Sequence, residues 1–161
     1  MASMGDNATR SFAAVTNGCL YISFMLRYQN PGHKSGLVLT DSGSSKVYFG
    51  YHTNVNGLYM FEYPSAYQGV TNSMMSGVPY TVIARVDLDA RTMACMMLTN
   101  QTGSMPWSEP ATWQITKSGM VAARFDGVLL FGFTDTLHSD AIYDEIRIAR
   151  SWSDLVSQGN T

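Results

Sequence analysis

A period of two in the apolar residues constrains this chain more than any other feature of its sequence. Between Cys19 and Tyr28, every second position is a large aliphatic or aromatic residue: Leu20, Ile22, Phe24 and Leu26. The same alternation recurs from Pro79 to Asp89. Successive side chains of a strand point to opposite faces of its sheet, so this pattern predicts β-strands with one buried face.

Further apolar runs lie between stretches rich in Gly, Ser, Asn and Pro, which are typical of turns. They predict strands at 37–40, 46–51, 57–63, 91–99, 112–116, 128–134 and 141–149. The short connections at 41–45 and 89–90 predict two hairpins. The C-terminal region contains the one helical signal, because Ser151 and Asp154 have the spacing of a capping box.

Composition agrees with an all-β fold. Glutamate and lysine normally coat the surfaces of helices, and each occurs three times, at Glu62, Glu109, Glu145, Lys34, Lys46 and Lys117. Many short strands without helices between them indicate antiparallel pairing. We therefore predict a two-sheet antiparallel β-sandwich of the jelly-roll type. Its single domain spans 19–156, after a leader at 1–18 that can hold a first edge strand and before a tail at 157–161.

Charge and cysteine content exclude several classes of function. Ten basic and twelve acidic residues give a net charge of −2, which excludes the basic surface of a nucleic-acid-binding protein. The sequence has no apolar run of about 20 residues, so membrane insertion is not expected. The two cysteines, Cys19 and Cys95, match no metal-binding spacing, and both a disulfide and two buried thiols remain open.

Three segments carry a resemblance to a known family. The segment from Ile142 to Val156, with the strand Asp144-Glu145-Ile146-Arg147-Ile148 and a following Trp152, resembles the closing strand and terminal turn of bacterial LamG-like, concanavalin A-like jelly-roll modules. Leu20 to Arg27 and Ala84 to Asp87 look like two earlier strands of these modules. The resemblance implies a jelly roll from a larger exported bacterial protein, outside the cell or on its surface. It also implies a carbohydrate-binding or spacer role.

Catalysis is not expected. A retaining glycosidase needs two carboxyl groups about 5 to 5.5 Å apart, and glucanases on this fold place them on one strand as E-x-D-x-x-E. This chain lacks that strand. Asp144 and Glu145 are adjacent, so regular alternation places them on opposite faces, and Glu145 is expected to pair with Arg147 at the surface. The loop at 138–140 holds His, Ser and Asp but lacks the nucleophile elbow of a hydrolase.

Loop composition favours sugar binding instead. Sugars are bound by aromatic rings that stack on their apolar C–H faces and by amides that bind their hydroxyl groups. The candidate ligand-binding residues are Trp107, Tyr63, Tyr67, Tyr51 and Asn54. Calcium needs oxygen ligands from loops, and the candidate ligands are Asp41, Asp135 and Asp140. The expected partner is a glycan or polysaccharide, with either no cofactor or calcium.

A methionine-rich strand supports a different function. The chain has eleven methionines, and in the segment from Met93 to Leu98 both alternating sets of side chains are apolar. If this strand is central in its sheet, its outer face is either an exposed apolar stripe or is covered by a loop. An exposed stripe would pack against a neighbouring domain or a second copy. A structural or self-assembling module is therefore the alternative to glycan binding.

Overall fold

The computed structural model describes residues 8–99, 105–132 and 141–157. These ranges contain eleven strands and one short helix: β1 (Ala8–Val15), β2 (Cys19–Tyr28), β3 (Ser35–Asp41), β4 (Ser44–His52), β5 (Gly57–Glu62), β6 (Gln68–Gly69), β7 (Tyr80–Asp87), β8 (Thr92–Leu98), β9 (Ile115–Ser118), β10 (Phe125–Gly132), β11 (Ala141–Ala149) and α1 (Trp152–Ser157). No helix in the described ranges is long and apolar enough to cross a membrane.

The strands form two antiparallel sheets that pack face to face. The six-stranded sheet has the order β1-β10-β3-β4-β5-β6, and the five-stranded sheet has the order β11-β2-β7-β8-β9. Both predicted hairpins are present, as β3 with β4 and β7 with β8. The predicted all-β, two-sheet sandwich is confirmed.

The core lies between the inner faces of the two sheets. Leu20, Ile22, Phe24 and Leu26, the alternating residues of β2, are at most 2% exposed. Burying side chains of this size stabilises the fold by about 1.5–3 kcal/mol each. The same core holds Cys95, and both cysteines are free thiols.

The residues of the turn between β3 and β4 determine how these two strands pair. Ser42 and Gly43 have φ angles of 52° and 78°, and two consecutive positive φ values are what a tight type I′ hairpin requires. On the same pair of strands, Gly36 lies opposite Gly50. A Cβ atom at Gly50 would lie 2.3 Å from the carbonyl oxygen of Ser35, so the strands approach too closely there for any side chain.

Both α1 and the loop at 105–113 cover the outer face of the five-stranded sheet. Ser151 begins the helix as predicted, because its hydroxyl accepts a hydrogen bond from the Asp154 N–H at 3.1 Å. The apolar cluster on this face contains Tyr21, Ile83, Trp152, Leu155 and Val156, with Met96, Leu98, Met105 and Trp113 packed against them. A loop therefore covers the outer face of the methionine-rich strand, which is not an exposed stripe.

Three local predictions differ from the structure. Trp113 belongs to the covering loop, and β9 begins at Ile115, three residues later than predicted. The β10 strand begins at Phe125, three residues earlier than predicted. Alternation fails in β11, where the pairing with β2 is irregular between Asp144 and Arg147 and Glu145 has a φ of 52°. The expected ion pair between Glu145 and Arg147 is present.

Candidate functional site

Three aromatic rings meet on the outer face of the six-stranded sheet, at the end of β4. His52 is 5% exposed. Its ring stacks on Tyr67, with centroids 5.1 Å apart and planes at 13°, and it meets the edge of Tyr59 at 4.9 Å and 74°. Tyr67 is 42% exposed, whereas Tyr59 is 3% exposed. His52 therefore supports an accessible tyrosine ring from beneath.

The loop after β4 fixes the orientation of the histidine. The Asn54 N–H donates a hydrogen bond to His52 Nδ1 at 2.9 Å, so this nitrogen carries no proton and the ring is neutral with its proton on Nε2. Burial lowers the pKa of His52, and the nearby Lys34 charge lowers it further. Asn54 is itself exposed, so its side-chain amide is available to a ligand.

Hydrogen bonds between polar side chains connect the loops next to this cluster. The Tyr51 hydroxyl is within hydrogen-bond distance of the Pro31 carbonyl oxygen, at 2.8 Å, and of Asn56 Oδ1, at 3.1 Å. The Asn56 amide donates in turn to Asn72 Oδ1 at 3.1 Å. These bonds connect the loop at 29–34 to the loops at 53–56 and 70–77, and this gives the aromatic cluster a fixed surrounding.

Tyr51 is part of the support for this site and is not a ligand contact. Its side chain shares the inner face of β4 with Val47 and Phe49 and is 0% exposed. Its ring stacks on Tyr28 at 3.7 Å between the two sheets. No surface of the ring is left for a sugar, so the prediction that Tyr51 contacts a ligand is wrong.

More aromatic side chains extend along the same outer face. The Tyr48 ring packs against Phe61 at 5.4 Å and against Phe131 at 5.8 Å. Val38 and Tyr59 belong to the same apolar cluster, and Val55 and Leu129 pack against it. The half-buried Tyr48 and Phe61 give the surface next to Tyr67 an apolar character. An exposed ring, an exposed side-chain amide and a neighbouring apolar surface are the chemical elements that bind a saccharide.

The other two predicted aromatic residues lie apart from this cluster. Tyr63 is 67% exposed and follows β5, where its N–H donates to the Lys46 carbonyl at 3.0 Å. Trp107 is 83% exposed on the loop that covers the opposite sheet. The structure thus brings Tyr67 and Asn54 together around His52 but places Trp107 on the other outer face of the sandwich.

The loop that carries Trp107 is held firmly. Glu109 accepts hydrogen bonds from the Tyr21 hydroxyl at 2.9 Å and from Arg85 at 2.7 Å. The Arg85 guanidinium also lies 5.7 Å from the centre of the Trp113 ring. The Trp152 indole donates to the Pro106 carbonyl at 3.3 Å. Trp152 is therefore a packing residue on the outer face of the five-stranded sheet.

Of the three predicted calcium ligands, the structure describes one. The Asp41 carboxylate pairs with Arg124, whose guanidinium also bonds Asp126 at 2.9 Å. The arginine already supplies positive charge to both carboxylates. Asp135 and Asp140 lie outside the described residues, as does the loop at 138–140. Across 8–99, 105–132 and 141–157, no group of three or more acidic, His or Cys side chains is arranged to hold a metal ion.

His52 and Tyr59 were missed as site residues because each looks isolated in the sequence. The signal that could have found them is strand alternation. His52 has the same parity as Tyr48 on β4, and both point away from the core side chains Val47 and Phe49. The contact of His52 with Tyr67 depends on how the chain returns to pair β6 with β5. No local sequence pattern indicates this return.

Comparison with known proteins supports the fold. No protein-family model matches the sequence, and no curated protein matches it either. A heptameric SAP-like pentraxin from Limulus polyphemus has a TM-score of 0.62 at 10% identity, covering 99% of this chain and 78% of the pentraxin. A sialidase also has a TM-score of 0.62, at 13% identity, but this chain spans only 14% of its length.

Two smaller proteins match over nearly their whole length. A homodimeric agglutinin from chicken liver has a TM-score of 0.54 at 10% identity, covering 89% of this chain and 100% of the agglutinin. A tetrameric galectin from the ball sponge Cinachyrella sp. has a TM-score of 0.55 at 10% identity, covering 89% of this chain and 99% of the galectin. The chain thus has the jelly-roll β-sandwich fold that lectins of these kinds also have. Fold alone does not assign an activity.

Proposed function

We propose that this chain is a non-catalytic carbohydrate-binding module of a larger exported bacterial protein. The observation that carries the proposal is the stacking of the exposed Tyr67 ring on His52, whose Nδ1 accepts a hydrogen bond from the backbone N–H of the exposed Asn54. The agglutinin and the galectin among the structural neighbours support it at the level of fold. The resemblance of the closing strand to LamG-like modules supports the exported, bacterial setting.

The geometry suits a sugar in two ways. One side of the Tyr67 ring packs on His52, and with 42% of the residue exposed the ring still offers apolar surface to the C–H face of a pyranose. The amides of Asn54 and Asn72 are exposed and can both donate and accept hydrogen bonds with sugar hydroxyls. The Asn54 backbone is held by His52 and the Asn72 amide oxygen accepts a hydrogen bond from Asn56, so part of the site is ordered before any ligand arrives, which lowers the entropy lost on binding.

The carboxylates support a non-catalytic role. Glu62 is buried and paired with Lys117, and Glu109 is held by Arg85 and Tyr21. The contacts of His52 and Tyr67 within the described ranges involve no carboxylate. A retaining or inverting glycosidase needs a pair of them next to the sugar. A carboxylate variant that removes measurable turnover on mixed polysaccharides would contradict this part of the proposal.

The test is a glycan-array screen of the purified chain, with and without calcium, followed by affinity measurements on the best ligand. Tyr67→Ala is expected to weaken binding at least tenfold, which corresponds to about 1.4 kcal/mol. Tyr63→Ala is the matched control, because it removes an equally large exposed ring outside the cluster. If Tyr67→Ala binds the glycan as the wild type does and Trp107→Ala loses binding, the glycan site lies on the outer face of the five-stranded sheet and the proposed site is wrong.

Self-association is the second proposal, and the quaternary states of the neighbours favour it. The chicken agglutinin is a homodimer, the sponge galectin a tetramer and the Limulus polyphemus pentraxin a heptamer. Ile142 is 56% exposed on this chain and Met75 is 66% exposed, which leaves apolar surface for contacts between copies. Light scattering should then show a mass that rises with concentration above the monomer mass. A constant monomer mass would contradict self-association without affecting the glycan proposal.

A further inference from the structure

A cleft of about 790 Å³ opens between the edge strands β1 and β11, where the two sheets separate. All of its lining residues lie in the described ranges, and none belongs to the cluster around His52. Its floor and walls include apolar side chains from both sheets: Phe12, Val15, Leu20, Val128, Leu130 and Ile146. Ile146 is 41% exposed, so the apolar lining reaches the protein surface.

Both strands that border the cleft depart from regular pairing there. The ladder of β1 with β10 shifts between Ser11 and Val15, and the ladder of β11 with β2 shifts between Asp144 and Arg147. Such bulges bend a strand and change the direction of its side chains, and they are common next to binding sites. The bends lie where the cleft lies, so the opening is part of how the two edges are built.

The charged residues that line the cleft are all positive. Its lining includes the exposed Arg10 and Arg150 and no acidic residue. Arg150 donates hydrogen bonds to the carbonyl oxygens of Asn17, at 2.6 Å, and Cys19, at 3.1 Å, which orient its guanidinium without neutralising it. The ion pairs found among the described residues do not include either arginine. An anion in the cleft would therefore meet two positive charges.

We infer that this cleft binds an anionic amphiphile with a single aliphatic chain, such as a fatty-acid carboxylate. The chain lies on the apolar floor, and the headgroup lies at Arg10 and Arg150. The volume falls within the range of about 300–1,000 Å³ typical of small-molecule sites, which are mostly apolar with a few fixed polar groups. This site is separate from the proposed glycan site and does not depend on it.

The experiment is isothermal titration calorimetry of the whole chain with octanoate, decanoate and dodecanoate below their micelle-forming concentrations. Burial of each added methylene is expected to raise the affinity about fourfold, so two methylenes give about fifteenfold. Undecyltrimethylammonium, which has the same alkyl group as dodecanoate and the opposite charge, is expected to bind more weakly. No binding of dodecanoate, or equal binding of the cationic amphiphile, would overturn the inference.

Two pairs of variants separate the cleft from general adsorption. Ile146→Ser is expected to weaken dodecanoate binding about tenfold, whereas Ile142→Ser, which removes an exposed isoleucine of the same strand outside the cleft, leaves it unchanged. Arg10→Gln is expected to weaken it about two- to fivefold, and the exposed Arg27→Gln leaves it unchanged.

If the two variants of either pair weaken dodecanoate binding equally, the binding is general adsorption, and the proposed cleft site is overturned. Tyr67→Ala should leave dodecanoate binding intact, so failure of the glycan proposal and failure of this one give different results.

Discussion

Glu62 is a buried charge whose removal should cost more than that of any surface carboxylate in the chain. Its side chain is 1% exposed and points into the core from β5. It accepts hydrogen bonds from the N–H groups of Val121 at 2.6 Å and Ala122 at 2.8 Å, and it pairs with the Lys117 ammonium of the opposite sheet. One carboxylate thus connects both sheets and the loop after β9.

The variant Glu62→Gln keeps the size of this side chain but removes its charge. The glutamine oxygen can replace Oε1 and accept both backbone N–H groups, and its NH2 group then faces the Lys117 ammonium, which is also a donor. Lys117, which is only 15% exposed, then keeps a poorly solvated charge without a partner. Breaking a buried pair in this way costs about 3–5 kcal/mol, and the partial exposure of Lys117 favours the lower end of that range.

The assay is thermal and urea unfolding followed by circular dichroism. For a chain of this size 1 kcal/mol corresponds to about 2–4 °C, so a loss of about 3 kcal/mol lowers Tm by about 6–12 °C. Glu109→Gln is the matched control: its ion pair with Arg85 is about 30% exposed, and the expected loss is about 1 kcal/mol or less. A Tm within about 2 °C of the wild type for Glu62→Gln would refute the reasoning.

The effect of Glu62 also depends on pH. Burial alone would raise the pKa of this carboxyl, but the hydrogen bonds from Lys117, Ala122 and Val121 and the charge of Lys117 outweigh burial and lower the pKa below its ordinary value of 4.5. A lowered pKa means that the carboxylate stabilises the fold fully above its unfolded pKa and loses this effect as the pH falls through the folded pKa. The stability difference between wild type and Glu62→Gln should therefore shrink in acid.

Three further predictions concern the site and the local structure. Glycan binding should weaken only at a pH below the ordinary histidine pKa of 6.5, because burial lowers the pKa of His52 and protonation of Nδ1 removes the acceptor for the Asn54 N–H; a loss of binding that is already complete at pH 6.5 would contradict this. Gly50→Ala should lower stability by about 1–3 kcal/mol in urea unfolding, since Gly50 has a φ of 149° and no room for a Cβ. Ser151→Ala should cost about 1 kcal/mol through loss of the helix cap, and an unchanged Tm would show that α1 does not need it.

The fold was predictable because burial on one face leaves a period-two signature. In β2 the inner residues could be read directly, and the two tight hairpins followed from turn-forming residues. The errors occur where tertiary contacts replace the local pattern. Trp113 looked like a strand residue, but its hydrophobic surface covers the five-stranded sheet from a loop. The bulge at Glu145 left no sequence signal, because only its pairing with β2 shows it.

The candidate site was only partly predictable for the same reason. Tyr67 and Asn54 were found from loop composition, which identifies exposed aromatic and amide groups. Tyr51 was assigned to the surface although it has the parity of Val47 and Phe49, and strand alternation would have placed it in the core. The pairing of Tyr67 with His52 requires the return of the chain through β6, which spacing along the sequence does not specify.

The free thiol of Cys95 gives the sandwich a built-in chemical reporter of its own opening. The side chain is fully buried on β8, between β7 and β9, and burial raises its pKa. A thiol reagent can reach it only when the sheets separate, because the reactive thiolate needs both access and solvation. Cys19, which is only half-buried, reacts without that event. The rate at which Cys95 is labelled, in a Cys19→Ser background, therefore measures how often the whole core opens under native conditions.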